Sequence, residues 1–287
     1  MRANPPPTTR HLPYTNLAPP NYAACNAMIN DPFPVCLTFD VDAEAGVLGR
    51  DPANADRPVA LSAGRYGPKT ALPYILDLLD RHEVKATFFV PGWTAEHHTD
   101  AIAECGKRGH EIAHHGYHHV PPTSFANAEE EREELERGIA ALEKATGQRP
   151  AGYRSPAWEL SKHTLGLLAG LDFTYSSNLM DADGPYENKL QDGGGSLVEL
   201  PVSWTLDDYP FFMSRPERSP AEVEEIWRDE FDALREREGA AFVLTMHPQI
   251  IGRPGRLAML DSLIAYIRHT GDAEFFRCSE LVQLVRS

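Results

Sequence analysis

Short apolar runs alternate with helical patterns along most of this chain, and that alternation limits the fold more than any other feature. VCLTF (35–39) precedes ALPYILDLLDRH (71–82), then come KATFFV (85–90), a helical stretch ending near Gly109, and HEIAHH from His110. The acidic run EEEREELERGIAALEKATG from Glu129 places Leu135, Ile139 and Leu142 on one face, so its glutamates form a solvated surface. Further strands are predicted at GYRS (152–155), FTYSS (173–177), LVELPV (197–202) and AFVLTM (241–246), with helices near 161–170, 220–238 and 256–268. Strands separated by helices pair in parallel, and about seven such units imply a barrel or a large open sheet.

Eight of the 24 prolines fall within the first 34 residues, which lack periodicity, so residues 1–32 read as a proline-rich arm. Residues 33–287 show no linker or repeat and read as one domain. A net charge of −15 repels phosphate backbones and anionic membranes and argues against both as partners. Cys25, Cys36, Cys105 and Cys278 form no paired spacing and read as buried reduced thiols. No signal-type or spanning apolar run is present, so a cytoplasmic protein is expected.

Chemistry-bearing residues gather at predicted strand ends, where α/β folds place their sites. In Asp40-Val41-Asp42-Ala43-Glu44, extended geometry sends both aspartates to one side, although the same pair could cap the next helix. Five histidines follow Gly109 within ten positions, a density that favours metal ligation. His115 and His119 lie four apart, and so do His114 and His118; a helical turn would put either pair on one face, and spacing does not choose between them. Arg154, in GYRSPAW, can orient a carboxylate through a bidentate pair, and Trp158 can wall a pocket. The segment from Leu200 to Asp208 carries Trp204, Asp207 and Asp208. His247 follows an apolar strand as a candidate general acid.

In this order, the segments resemble the NodB-homology domain of polysaccharide deacetylases, carbohydrate esterase family 4, over roughly residues 33–287. The resemblance implies a distorted (β/α) barrel with about seven parallel strands. It implies Asp40 as base, Asp42, His115 and His119 as ligands of a divalent metal, zinc first, and Arg154 as the holder of the base. His247 would be the acid, supported by Asp207 or Asp208, with Trp158, Trp204 and Tyr117 as substrate-binding residues. Val41 separates aspartates that are adjacent in secreted members, and Ala157 precedes Trp158; both are similar to the intracellular branch, which includes cyclic-imide hydrolases, allantoinases and peptidoglycan-deacetylase-like proteins. The expectation is a metal-dependent hydrolase of non-peptide C–N bonds acting on a small cyclic imide or ureide, with an N-acetyl-sugar or peptidoglycan deacetylase as the alternative. A non-catalytic metal- or ligand-binding protein is the alternative of another class. By the same resemblance the chain is expected to be a homo-oligomer, as a tetramer.

Overall fold

The computed structural model describes residues 32–190 and 195–287, so the predicted arm, apart from Pro32, lies outside the described residues, as does Cys25. Among the described residues nine strands form one sheet: β1 Phe33–Asp40, β2 Thr87–Val90, β3 Glu111–His114, β4 Gly152–Tyr153, β5 Tyr175–Ser176, β6 Tyr186–Lys189, β7 Ser196–Glu199, β8 Phe242–Met246 and β9 Ala273–Phe275. Their order is β6-β7-β5-β4-β3-β2-β1-β8, with β9 beside the start of β1. From β7 to β8 every pairing is parallel, and these are the seven strands read from the apolar runs. The edge pair β6–β7 is antiparallel. A lone parallel bridge from Asp207 to Thr245 brings the segment after β7 against β8, so the sheet curls into a distorted barrel.

All eight residues of β1 are buried, as expected for a parallel strand covered on both faces. Its pleat sorts them. Phe33, Val35, Leu37 and Phe39 join the outer core beneath the helices, with Leu72, Ile75 and Leu79 of Leu72–Arg81 and Leu260 and Ile264 of Pro254–Thr270. Cys36 packs on the other face with Phe89, Ala113, Tyr175, Val198 and Val243, while Cys278, Leu281 and Val282 of the last helix close that end. Period two then carries Cys36, Thr38 and Asp40 along one concave face, and Val243, Thr245 and His247 along another strand of it.

The periodic helices form where amphipathicity placed them: Leu72–Arg81, Thr99–Lys107, Ala128–Thr146, Thr164–Gly170, Pro220–Arg235 and Pro254–Thr270. Asn127 caps the acidic helix by accepting from the Glu129 and Glu130 amides, and Gly147 ends it in the left-handed region. Ser219 and Glu222 form a reciprocal cap on Pro220–Arg235. The helix Pro58–Tyr66 and strands β6 and β9 carry no long apolar run and escape a periodicity reading. Cys36, Cys105 and Cys278 are buried free thiols, as expected.

Candidate active site

Four strand ends meet at the mouth of the curled sheet. Asp40 ends β1, His115 follows β3, Arg154 follows β4 and His247 follows β8. Asp42, two residues past Asp40, turns its Oδ1 towards His115 Nε2 at 3.4 Å and His119 Nε2 at 3.2 Å. The segment holding the two histidines is a loop, not the helical turn that their spacing suggests. His119 adopts φ 59, and this reversal returns its ring towards His115. Gly49 allows the approach: a Cβ there would lie 2.4 Å from the His119 carbonyl oxygen. Ala43, His119, Ala157 and Trp158 are four of the six non-glycine residues with positive φ among the described residues, so backbone strain concentrates in the loops that build this mouth.

These three donors suit a divalent cation. Ligands at about 2.1 Å from a tetrahedral zinc are separated by about 3.4 Å, close to the spacings between the carboxylate and the two imidazoles. Asp42 Oδ1 is buried without a hydrogen-bond partner among the described residues. Such an orphan is costly unless something answers it. His115 Nδ1 donates to the Arg154 carbonyl at 2.7 Å, leaving the Nε2 lone pair for the cluster. Burial would raise the Asp42 carboxyl, but His119 and His115 outweigh it and hold the group well below its ordinary range.

Asp40 adjoins this triad, with Oδ2 3.9 Å from His115 Nε2. Its Oδ1 accepts from Arg154 Nη1 at 2.8 Å, and the same nitrogen donates to Thr38 Oγ1 at 2.8 Å. Arg154 is fully buried, its guanidinium 4.0 Å over the Phe89 ring. It does not grip the carboxylate with two nitrogens, as the sequence suggested, because Nη2 donates to Ser177 Oγ at 2.9 Å. On the other flank, His247 Nε2 lies 3.9 Å from Asp42 Oδ2.

Asp208 is the direct partner of His247. Its Oδ1 accepts from Nδ1 at 2.7 Å and its Oδ2 from the His247 amide at 2.9 Å. Asp207 instead accepts from the Tyr209 amide, capping Asp208–Phe212, with His247 Nδ1 3.7 Å away. Burial favours a neutral His247, yet Asp208, Asp207 and Asp42 outweigh it and raise the imidazole well above its usual range. Burial, reinforced by the like charge of Asp208 and opposed by His247, pushes Asp207 up to about 7.

Trp158 and Trp204 lie together, ring centroids 4.3 Å apart; Trp158 is buried and Trp204 is 47% exposed. Tyr117 is a correction. It is 1% exposed, and its hydroxyl donates to Glu96 and accepts from Arg137, so it packs between helices rather than facing a substrate. His114 and His118 also turn away. His114 Nε2 donates to the Leu135 carbonyl at 3.0 Å, and His118 pairs with Glu134.

Sequence reading missed several groups around the cluster. Gln249 Nε2 approaches Asp42 Oδ2 at 3.4 Å. Glu44 accepts from Arg65 and His98 and ties the Asp42 loop to two helices, and Ser177 and Asn178 bind the Arg154 loop. Glu44 stood beside the aspartates in the sequence, but its partners lie 21 and 54 residues away and carried no signal.

The fold and its clustered acid, base and metal-ligand candidates define a hydrolase of non-peptide carbon–nitrogen bonds. Comparison with known proteins supports that class. The family model described as polysaccharide deacetylase matches residues 55–176. Peptidoglycan deacetylase of Helicobacter pylori is 32% identical over 268 residues, covering 83% of this chain and 91% of that protein. The crystal structure of a Mycobacterium smegmatis protein assigned to the polysaccharide deacetylases superposes with TM-score 0.85 at 45% identity, covering 90% and 91% of the two chains. Puue allantoinase shares the fold, with TM-score 0.80 at 22% identity over 89% and 90%. The chain belongs to the polysaccharide deacetylase family. No helix among the described residues is long and apolar enough to cross a membrane.

Proposed function

We propose that the chain is a metal-dependent amidase that removes the acetyl group from an N-acetylated amino sugar. The observation that carries this reading is the convergence of an orphaned Asp42 Oδ1 and two imidazole nitrogens between Asp40 and His247. Asp42, His115 and His119 would hold the ion, with zinc first among the cations such a set suits. When bound, a divalent ion there lowers the pKa of water and polarises the scissile carbonyl.

Asp40, oriented by Arg154, takes the proton of the attacking water at Oδ2. His247, kept protonated by Asp208 with Asp207 behind it, delivers a proton from Nε2 to the departing nitrogen. An amine leaves poorly as an anion, so this proton is needed for the C–N bond to break. Trp158 and Trp204 offer an apolar wall against which a sugar ring can lie. The catalytic domain is taken as residues 33–287, with the arm ahead of it.

The relationship to the Helicobacter pylori protein moves the acetyl-sugar reading ahead of the cyclic imide or ureide expected from the sequence. The ring reading stays second, favoured by GYRSPAW (152–158), which resembles the imide-hydrolysing branch. Matched kcat/KM values on N-acetylglucosamine oligomers and on succinimide- or hydantoin-type rings decide between them. Acetate release with many turnovers per enzyme is expected; ring opening without acetate release would install the second reading, and product limited to one equivalent would leave a binding protein. A cytoplasmic location and a homo-oligomeric, tetrameric state complete the proposal, tested by fractionation and sedimentation.

A further inference from the structure

Glu199, at the end of β7, is fully buried, and the chemistry proposed above does not use it. A buried carboxylate is expensive to keep and calls for an explanation. Its Oε1 accepts from two consecutive amides, Asn178 at 2.6 Å and Leu179 at 2.8 Å, and so fixes the short segment leaving β5. That segment has two outputs. Ser177 Oγ accepts from Arg154 Nη2 at 2.9 Å, and Asn178 Oδ1 accepts from the Ser155 amide at 2.7 Å, while Asn178 Nδ2 donates to Ser176 Oγ at 2.9 Å.

Both outputs reach the loop from Arg154 to Trp158. Ala157 and Trp158 both lie at φ 58, a conformation L-residues adopt only when their surroundings impose it. The anchors that impose it start at Ser155: its amide is held by Asn178, its carbonyl accepts from the Trp158 amide at 3.0 Å, and its hydroxyl donates to the Glu159 carbonyl. Removing the Asn178 contact frees the residue from which the turn is built. Arg154, one residue earlier, is the group that orients Asp40.

We propose that Glu199, acting through Asn178, is a positioning residue that sets the base-orienting Arg154 and the Trp158–Trp204 wall together. The carboxylate works on the substrate's surroundings from behind the strand ends, without touching substrate. This inference rests on the site assignment made above, and one of its readouts is independent of turnover.

The experiment compares Glu199→Ala, Asn178→Ala, Glu199→Gln and Asn178→Asp in the full chain loaded with zinc. Two indoles in close contact and tilted by 34° give an exciton couplet in near- and far-ultraviolet circular dichroism, assigned by its loss in Trp204→Phe. The couplet should collapse in Glu199→Ala and Asn178→Ala. It should return in Glu199→Gln and Asn178→Asp, which keep the acceptor oxygens. On whichever amide substrate the wild type turns over, kcat should fall about tenfold or more and KM should rise in the alanine variants, with zinc affinity changed less than about threefold. The conservative pair should recover most of that loss. A couplet unchanged in folded Asn178→Ala overturns the proposal, and so does a decline of kcat that merely follows the unfolded fraction. Because Asn178→Ala leaves the carboxylate in place, it remains informative if Glu199→Ala fails to fold. A wild type without turnover would sink the proposed function, while the couplet would still decide this inference.

Discussion

The two ends of the curled sheet both bury charge, and they treat it in opposite ways. At the closed end, Glu111 accepts from Tyr175 and Thr87 hydroxyls and from the Ser279 amide, each at 2.9 Å, and pins the start of the last helix. Burial raises its carboxyl, while those three donors pull the other way. At the mouth, Asp42 Oδ1 has no hydrogen-bond partner among the described residues, and three carboxylates, Asp42, Asp207 and Asp208, crowd around His247. The difference separates structural from functional polarity: a satisfied network stabilises a fold, whereas convergent unsatisfied groups await a ligand.

Breaking the mouth should therefore cost chemistry, and breaking the closed end should cost stability. The largest effect is expected from His115→Ala or His119→Ala. Removing one of three ligands should lower metal affinity on the order of a hundredfold or more and abolish activity, measured by chelator competition and turnover. If His114→Ala or His118→Ala does this and His115→Ala does not, the assigned triad is wrong. Asp40→Asn should follow, losing about 10²–10⁴ in kcat while keeping the metal, because only the proton acceptor is gone. Full activity in that variant would give the base role to another group.

Asp208→Asn sharpens the comparison through pH. The charge of Asp208 holds His247 well above its ordinary range, so the acid form persists above that range and activity is lost as pH rises through the raised value. Without that charge the loss should begin at lower pH, with kcat about tenfold down; an unmoved basic limb would detach Asp208 from the acid. At the closed end, Glu111→Gln presents a donor where Thr87 and Ser279 also donate. It should cost about 1–3 kcal/mol of unfolding free energy. Its kcat should match the wild type, and a large kcat loss without destabilisation would erase the distinction between the ends.

The smallest effect concerns His114, which burial depresses to about 3. It stays neutral when folded, so its contribution is present above the unfolded value near 6.5 and is lost progressively as pH falls towards about 3. Between pH 6.5 and 5.5 this amounts to about 1 kcal/mol, visible in urea unfolding and absent in His114→Gln.

Much of the architecture was legible because apolar periodicity reports which face of an element meets the core. The seven parallel strands and the long helices follow from it, while β6 (Tyr186–Lys189) and β9 (Ala273–Phe275) are short edge pieces below its reach. Asp40, Asp42, Arg154 and His247 were readable as candidates because strand ends are where such folds expose polar groups. Tyr117 was misplaced because its neighbours in sequence are histidines, whereas its neighbours in space are Glu96 and Arg137.

By itself, then, the sequence determined a parallel α/β sheet, the strand ends that carry polar side chains, and the candidates for acid, base and metal ligation. It could not choose between histidine pairs of equal spacing, or between Asp207 and Asp208. Those choices belong to the tertiary structure: adjacent residues at the end of β3 point to opposite faces, and Asp207 is taken up as the cap of Asp208–Phe212, which leaves Asp208 to His247. His114 turns outward to the Leu135 carbonyl and His115 inward to Asp42, and only the curl of the sheet decides which of those faces is the mouth.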